Sequence, residues 1–338
     1  MSLRVEKPGL HTTVQDLGRA GWRKDALAEG GAMDRYALRV ANLLVGNDEG
    51  AAGLELTLVG PVLVAETDML LAVCGAYMTP QVNGDELPMW RPFWVAAGAR
   101  LSFGAAVDGC RAYVAVAGGG ILTAPVLGSR STDTRAGIGG IAGRALRAAD
   151  VLPCGSRDAA PAWRAATPSW SRRNGWAAPG WFAPPVAYGG GAADGIELRA
   201  MPGAEFGRLR EAARSALFRE RFTVAPASDR MGVRLTGPPV EFEDVAEMLS
   251  HGVVPGTVQV PHGGAPIVLA ADCQTTGGYP KAAQVITADL ALLAQAKPGD
   301  IIRFREVSLS EAQRIYIALE RSMTELAAGI QLRLTQNR

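Results

Sequence analysis

The sequence predicts a mainly β protein built as two domains from an internal duplication, with short helices at the rims and one helix at the C-terminus. Three observations predict it. Forty-one glycines and 21 prolines in 338 residues require many tight turns. Short apolar runs bounded by turn residues recur along the chain. The two halves of the chain also echo one another at three places.

The predicted strands are Val62–Ala65, Met69–Val73, Phe93–Ala96, Arg111–Ala117, Thr257–Val260, Ile267–Ala270 and Ile301–Phe304. Their shortness and their Gly, Pro and Asn punctuation favour strand over helix. Three segments read as helical. After Asp34, the residues Ala37, Val40, Ala41, Leu44 and Val45 follow the i, i+3, i+4, i+7, i+8 spacing of one helix face. Asp34 is placed to cap the first turn and Gly46-Asn47 to end the helix. A second helix is expected over 288–295, stopping at Lys297-Pro298-Gly299. The third follows Ser308-Leu309-Ser310-Glu311, which has the form of a capping box. Its expected buried stripe is Leu309, Ala312, Ile315, Tyr316, Leu319, Met323 and Leu326.

The echoes are Leu54–Pro61 with Val233–Pro238, Gln81-Val82 with Gln259-Val260, and Gly98–Phe103 with Gly299–Phe304. The offsets are 177, 178 and 201 residues, so the second copy holds about 23 extra residues between its last two landmarks. The domains expected are 1–155 and 196–306, joined by a connection over 156–195 and followed by a helix and tail over 307–338. The connection is rich in Pro, Gly and Ala with little periodicity. Its tryptophans (163, 170, 176, 181) argue against free disorder, because such side chains usually bury.

Composition narrows the function classes. A formal net charge of +1 gives no footing for nucleic acid or an acidic membrane surface. No apolar stretch reaches the ~18 residues of a membrane helix. The first residues lack the apolar core of a secretion signal, so a cytoplasmic location is expected. Four cysteines (74, 110, 154, 273) stand singly, without a C-x-x-C pair. Three histidines (11, 251, 262) are too dispersed to point to a metal, and no metal is expected. Gly118-Gly119-Gly120 follows a strand but belongs to no phosphate-binding fingerprint.

The stretch Asp272-Cys273-Gln274-Thr275-Thr276-Gly277-Gly278-Tyr279-Pro280-Lys281 gathers a carboxylate, an amide, two hydroxyls, two glycines, a phenol and an amine. It follows a predicted strand and falls within the extra residues of the second copy. Polar groups at the exit of a rigid element, with glycines for close backbone approach, suit a pocket for a small polar ligand. Gly-Gly-Tyr-Pro is also a plain turn, and both readings stand at this level.

The chain resembles a known family. The residues that carry the likeness are Thr12–Arg19, Gly30–Asp34, Ala41–Asn47, Glu55-Leu56-Thr57, Leu127–Thr132 and Gln274–Pro280, in that order. They resemble the KipA family, also described as allophanate hydrolase subunit 2 or the biotin-dependent carboxyltransferase family. Its members include the C subunit of prokaryotic 5-oxoprolinase and half of the carboxyltransferase region of urea carboxylase. The resemblance implies two cyclophilin-like β-barrel domains. It implies a KipI-like partner chain (allophanate hydrolase subunit 1 type) and, in the 5-oxoprolinase role, a LamB/YcsF-type subunit. That role is the ATP-dependent opening of 5-oxo-L-proline to L-glutamate, by a subunit inactive alone. The alternatives are a carboxyltransferase or allophanate hydrolase subunit acting on urea-like substrates, and a KipA-type regulator that sequesters a kinase inhibitor. Self-association as a homodimer is also compatible. The chain lacks a biotinyl-lysine motif, so biotin would be presented by another protein, and ATP is expected to be used by the complex.

Family substrates share a carbonyl flanked by nitrogen. Activating it needs donors at the oxygen and an acceptor for the N–H. On that basis Asp272, Gln274, Thr275, Thr276 and Lys281 are the expected catalytic residues, and Gly277, Gly278, Tyr279, Asp34 and Arg130 the expected substrate-binding ones. Six of them have a structural alternative: a turn cap for Asp272, a solvated amine for Lys281, strand-end packing for the two threonines, a helix cap for Asp34, a loop brace for Arg130. Asp229-Arg230 reads as a structural pair at a turn, and His251 and His262 as loop histidines. Cys273 departs from the glycine, alanine or arginine that the family often has there. It reads as a buried filler rather than a nucleophile, since no histidine adjoins it.

Overall fold

The computed structural model describes residues 1–156, 170–186, 188, 195–243 and 248–335. The chain forms two compact units. The first comprises Met1–Arg19, Asp34–Ala187 and Arg321–Arg338, and the second Ala20–Met33 and Tyr188–Glu320.

In the first unit the elements run β1 (Ser2–Lys7), β2 (His11–Gln15), α1 (Arg35–Leu44), β3 (Gly53–Thr57), β4 (Val62–Ala65), β5 (Met69–Tyr77), β6 (Gln81–Val82), β7 (Asp85–Glu86), β8 (Pro92–Val95), β9 (Arg100–Ser102), β10 (Asp108–Val116), β11 (Val151–Pro153), β12 (Ser171–Arg173) and β13 (Trp176–Ala178). They make a six-stranded sheet, β11-β1-β4-β9-β6-β7, and a seven-stranded sheet, β12-β13-β8-β5-β10-β3-β2. One core joins them: Leu3, Val5, Leu63 and Leu101 from the first sheet meet Leu54, Leu71, Phe93 and Val114 from the second. Helix α1 packs on β5 and β10. This explains why β5 is buried without alternation from Met69 to Ala76: one face looks into the core and the other lies under a helix.

The helix is capped as its sequence predicts. Asp34 Oδ1 accepts from Ala37 N at 2.8 Å, and the Asp34 backbone N donates to Tyr113 Oη at 2.7 Å. Tyr113 Oη donates in turn to Glu55 Oε2 at 2.8 Å. At the other end Gly46 N donates to Leu43 O and Asn47 N to Asn42 O. The Asn47 side chain ties this terminus to β10 by donating to Val116 O at 2.8 Å. Strands β12 and β13 fall inside the segment expected to be a connection, and they form a hairpin that joins β8. Trp170 and Trp176 are buried, as large aromatic side chains require, whereas Trp163 lies outside the described residues.

The second unit holds β14 (Ile196–Pro202), α2 (Glu211–Arg219), β15 (Phe222–Val224), β16 (Gly232–Thr236), β17 (His251–Gly252), β18 (Thr257–Gln259), β19 (Ile267–Leu269), β20 (Thr276–Gly277), β21 (Lys281–Val285), α3 (Leu290–Gln295) and β22 (Ile301–Glu306). The last helix, α4 (Leu309–Thr335), is divided between the units, which part at Arg321. Seven strands close into a barrel in the order β14-β21-β18-β19-β16-β15-β22. The β14–β22 pairing is parallel and the others are antiparallel. Leu198, Phe222, Leu235, Val258, Val268, Ile302 and Phe304 fill the interior, with the Phe222 and Phe304 rings 5.9 Å apart. Closure leaves no strand edge to protect.

The repeat landmarks fall on strands in both units: β3 and β16, β6 and β18, β9 and β22. Their neighbours differ. β9 lies between β4 and β6, both antiparallel, whereas β22 lies between parallel β14 and antiparallel β15. The longer interval of the second copy contains two barrel strands, β19 and β21, and helix α3.

Two helical expectations change. α2 is not signalled by periodicity, because a nine-residue helix buries only Ala213 and Leu217. In α4, Ser308 Oγ accepts from Glu311 N at 3.2 Å, but the Glu311 carboxylate turns to Arg305 Nη1 at 3.2 Å instead of closing the box. Ala312 and Met323 of the expected stripe are buried, whereas Leu309 and Tyr316 are exposed. Among the described residues no helix is long and apolar enough to cross a membrane.

Asp34→Ala should lower the unfolding free energy by about 1–2 kcal/mol, because it removes a buried cap. Asp34→Asn, which keeps a capping oxygen, should lose less. Urea denaturation of the three proteins checks both expectations, and equal stability of wild type and Asp34→Ala would show that the cap contributes nothing.

Candidate active site

The Asp272–Lys281 run bridges β19 and β21 in the second unit, so its ends are set by barrel strands. A turn at Asp229 leads into β16 beside it. Asp229 Oδ1 accepts from Met231 N at 2.8 Å and Gly232 N at 3.1 Å, which is a side-chain turn of the Asx kind. That turn sends Arg230 across the barrel mouth. Its Nε and Nη2 donate to the two carboxylate oxygens of Asp272, each at 2.8 Å, and both side chains are about 10% exposed. Asp272 N donates back to Arg230 O at 2.9 Å. Arg230 thus partners Asp272, not its sequence neighbour Asp229 as expected. The physical reason is geometric: the Asx turn uses the Asp229 carboxylate on backbone N–H groups.

Residues Gly30 and Gly31 belong to the same unit and dock on this pair. Arg230 Nη2 donates to Gly31 O at 2.6 Å, and Gly30 N donates to Ala271 O at 3.2 Å. Both glycines sit at positive φ, 66° and 86°. A conformation that other residues rarely adopt therefore brings this backbone onto the loop. Arg23 binds the loop from another side, donating to Val253 O and more distantly to Gln274 O.

Within the loop, Cys273 is fully buried against Val253, Ile267 and Leu269. Burial pushes its thiol pKa up, and the nearby Arg23 guanidinium offsets this only in part. A protonated, enclosed thiol suits the filler reading. Thr276–Gly277 pairs with His251–Gly252, so part of the loop backbone is engaged in a two-stranded ladder and is not free to donate to a ligand. Thr276 and Tyr279 are exposed, and the Tyr279 ring meets the exposed His262 ring edge-on at 6.5 Å. Lys281 is no solvated amine. Its Nζ lies 3.5 Å from Glu205 Oε2, with both side chains about 15% exposed, and its N donates to the same oxygen at 2.8 Å.

Beneath the loop lies Gln259, the last residue of β18 and 2% exposed. Gln274 Nε2 donates to Gln259 Oε1 at 3.4 Å, while Gln259 Nε2 is buried without a hydrogen-bond partner. A Cβ at Gly277 would collide with this carboxamide. Gly277 is therefore needed for contact with Gln259 and not for a positive φ. Gln259, Arg230, Glu205 and Arg23 escape sequence reasoning as site residues. Gln259 is visible only as a repeat landmark and Arg230 only as half of a pair at a turn, and the other two carry no local signal.

The structure brings Asp272, Gln274, Thr275, Thr276, Gly277, Gly278, Tyr279 and Lys281 together in the second unit. Asp34 and Arg130 belong to the first. The Asp34 carboxylate is fully buried as a helix cap. Arg130 Nε donates to Thr123 O at 2.8 Å and its N to Asp16 Oδ2 at 2.6 Å, which matches the loop-brace alternative.

Comparison with known proteins gives one consistent picture. Residues 26–306 match the model of the family described as carboxyltransferase domain, subdomain A and B. The chain is 40% identical over 328 residues to the C subunit of 5-oxoprolinase from Escherichia coli (strain K12), covering 96% of this chain and 97% of the other. It is 39% identical over 303 residues to the C subunit of 5-oxoprolinase from Haemophilus influenzae, covering 90% of each. Among solved structures, the urea amidolyase of K. lactis superposes with a TM-score of 0.85 at 28% identity, over 96% of this chain and 20% of that one.

Breaking the Arg230–Asp272 pair should be costly from either side. Arg230→Ala and Asp272→Ala should each destabilise the second unit by about 3–5 kcal/mol, and the double variant by less than their sum. Additive losses in a denaturation cycle would show that the two groups are not coupled. For Cys273, iodoacetamide at pH 8 should leave the native thiol unmodified while labelling it in urea. Rapid native labelling would contradict the raised pKa and the burial.

Proposed function

This chain belongs to the family of the carboxyltransferase domain, subdomains A and B, and on that premise we propose that it is the C subunit of a 5-oxoprolinase-type complex. The observation that supports the reading most is the likeness to the C subunit of E. coli 5-oxoprolinase, which extends over nearly the whole of both chains. The complex would be cytoplasmic and would open 5-oxo-L-proline to L-glutamate with ATP hydrolysis. It would contain a KipI-like chain and a LamB/YcsF-type chain, and this subunit would be inactive alone.

Roles follow from which groups are committed and which are presented. Asp272 and Lys281 are held by Arg230 and Glu205, so they are assigned to setting the loop's position. Thr276 is exposed, and Gln274 and Thr275 are half-buried. Their amide and hydroxyl groups are assigned as donors to the substrate carbonyl oxygen as negative charge develops on it. Gln259 orients the Gln274 carboxamide from below. Water would add to the carbonyl carbon, the lactam C–N bond would break, and the nitrogen would leave as the amine of glutamate.

The second reading is carboxyl transfer to a urea-like substrate, favoured by the superposition on K. lactis urea amidolyase. The same donors fit the ureido oxygen of biotin carried by another protein. A regulatory role, with this chain sequestering an inhibitor, needs no such donor set.

Glutamate release from 5-oxo-L-proline, measured with this chain assembled with its two partners, tests the reading. The wild-type assembly should release glutamate only with ATP, and the chain alone should not. Thr276→Ala should lower kcat by about 100-fold with assembly intact, the scale of losing one donor to a developing oxyanion. Gly277→Ala should displace the Gln259 side chain, reducing kcat with only a small change in Tm. An intact, silent wild-type assembly would move the assignment to carboxyl transfer. Fully active Thr276→Ala would place the chemistry elsewhere.

A further inference from the structure

Two exposed aromatic rings stand at the edge of the loop site, outside its set of amide and hydroxyl donors. We propose that Tyr279 and His262 form an aromatic wall that selects ring-shaped amides, with a flat five-membered ring packed on Tyr279 and its carbonyl turned to Thr276 and Gln274. The placement of that carbonyl rests on the donors assigned under the proposed function.

Both rings are open to solvent. Tyr279 is 43% exposed, and His262 is exposed as well. Their centroids lie 6.5 Å apart with an interplanar angle of 89°, an edge-to-face arrangement. Such a contact covers one ring face at most, and the exposure of both residues leaves flat aromatic surface for a ligand.

The backbone presents the rings stiffly. His262 is the second residue of a turn closed by Gly264 N, which donates to Pro261 O at 3.1 Å. Gly263, the third residue, has a φ of 108°, the positive value that a type II turn requires there. Val240 N fastens the turn by donating to Gly264 O at 2.9 Å. Tyr279 precedes Pro280, which disfavours helical backbone at Tyr279. Val260 N joins the two loops by donating to Pro280 O at 3.0 Å. Rings held in this way lose little freedom when a ligand arrives, so ordering offsets less of the contact energy.

The wall adjoins the donors. Tyr279 follows the exposed Thr276 by three residues, a span of at most about 10 Å. His262 follows Gln259 by three, and the Gln259 carboxamide lies under Gly277. A small ring whose carbonyl meets Thr276 therefore has its carbon body within reach of the Tyr279 side chain. The donors serve any N–C=O group, cyclic or open. An aromatic face adds affinity only where the ligand has apolar ring carbons to cover. A lactam and a cyclic ureide both carry methylenes beside the amide, whereas urea has none. The ligand class is thus a five-membered ring with an N–C=O edge.

Titration of the full-length chain followed by its NMR chemical shifts tests the wall. The ring probes are pyrrolidin-2-one and imidazolidin-2-one, and their open-chain counterparts are acetamide and urea. Each ring should bind about 10-fold more tightly than its counterpart, the scale of covering two methylenes. Tyr279→Ala should abolish that preference, Tyr279→Phe should keep it, and His262→Ala should lose part of it. Both side chains are exposed, so Tm should barely move in these variants, which a structural role for the pair would not allow. Equal binding of ring and open-chain probes by the wild type overturns the wall whatever the variants do. So does a preference that survives Tyr279→Ala, or a wild type that binds neither ring. Tighter binding of imidazolidin-2-one than of pyrrolidin-2-one assigns the wall to a ureido ring, and the opposite order to a lactam. A ring preference that depends on Tyr279, in a chain whose assembly releases no glutamate from 5-oxo-L-proline, keeps the wall and overturns the 5-oxoprolinase assignment alone. Glutamate release without any ring preference does the reverse.

Discussion

The bidentate pair between Arg230 and Asp272 is the constraint on which the candidate site depends. It joins the entry of β16 to the exit of β19 and takes up a glycine carbonyl at Gly31 as a third tie. Two nearly buried charges are tolerated there because each is matched in geometry, and removing either would strand the other. With its start fixed by this pair and its end by Lys281–Glu205, the loop holds Gln274 to Tyr279 at the barrel mouth without enclosing them. Closure of the seven-stranded barrel makes that placement rigid, since both flanking strands are paired on each side.

This arrangement separates structural charge from functional polarity. The charged groups that attract notice in the sequence, Asp272 and Lys281, are neutralised by partners. The exposed Thr276 and the half-buried Gln274 and Thr275 carry neutral hydroxyl and amide groups. Neutral donors suit a substrate whose carbonyl oxygen gains charge only during reaction, because they stabilise the developing charge without binding a charged ground state too tightly.

Much of the β architecture is legible in the sequence. Met69–Val73, Thr257–Val260 and Ile301–Phe304 announce themselves as short apolar runs between turn residues, and strands occupy them within a few residues. Asp34 announces its cap, because capping needs only a short polar side chain three residues before a helical N–H. The Trp-rich segment reads as a connection because its strands β12 and β13 are three residues each, too short for periodicity to show. On α4 the spacing overstates the buried stripe, since helical periodicity alone does not say how much of a face is covered.

The sequence by itself determined where seven of the strands and three of the helices form, that polar residues crowd the exit of β19, and which family the chain resembles. These are local matters of spacing, turn chemistry and motif order. The tertiary structure decided partnership: that Arg230 meets Asp272 across 42 positions, Lys281 meets Glu205 across 76, and Gln259 lies under Gly277. Such pairs depend on barrel register and closure, which bring distant residues within hydrogen-bond reach. No local pattern encodes that, and it is why Asp272 and Lys281 read as reactive groups in the sequence and as neutralised ones in the fold.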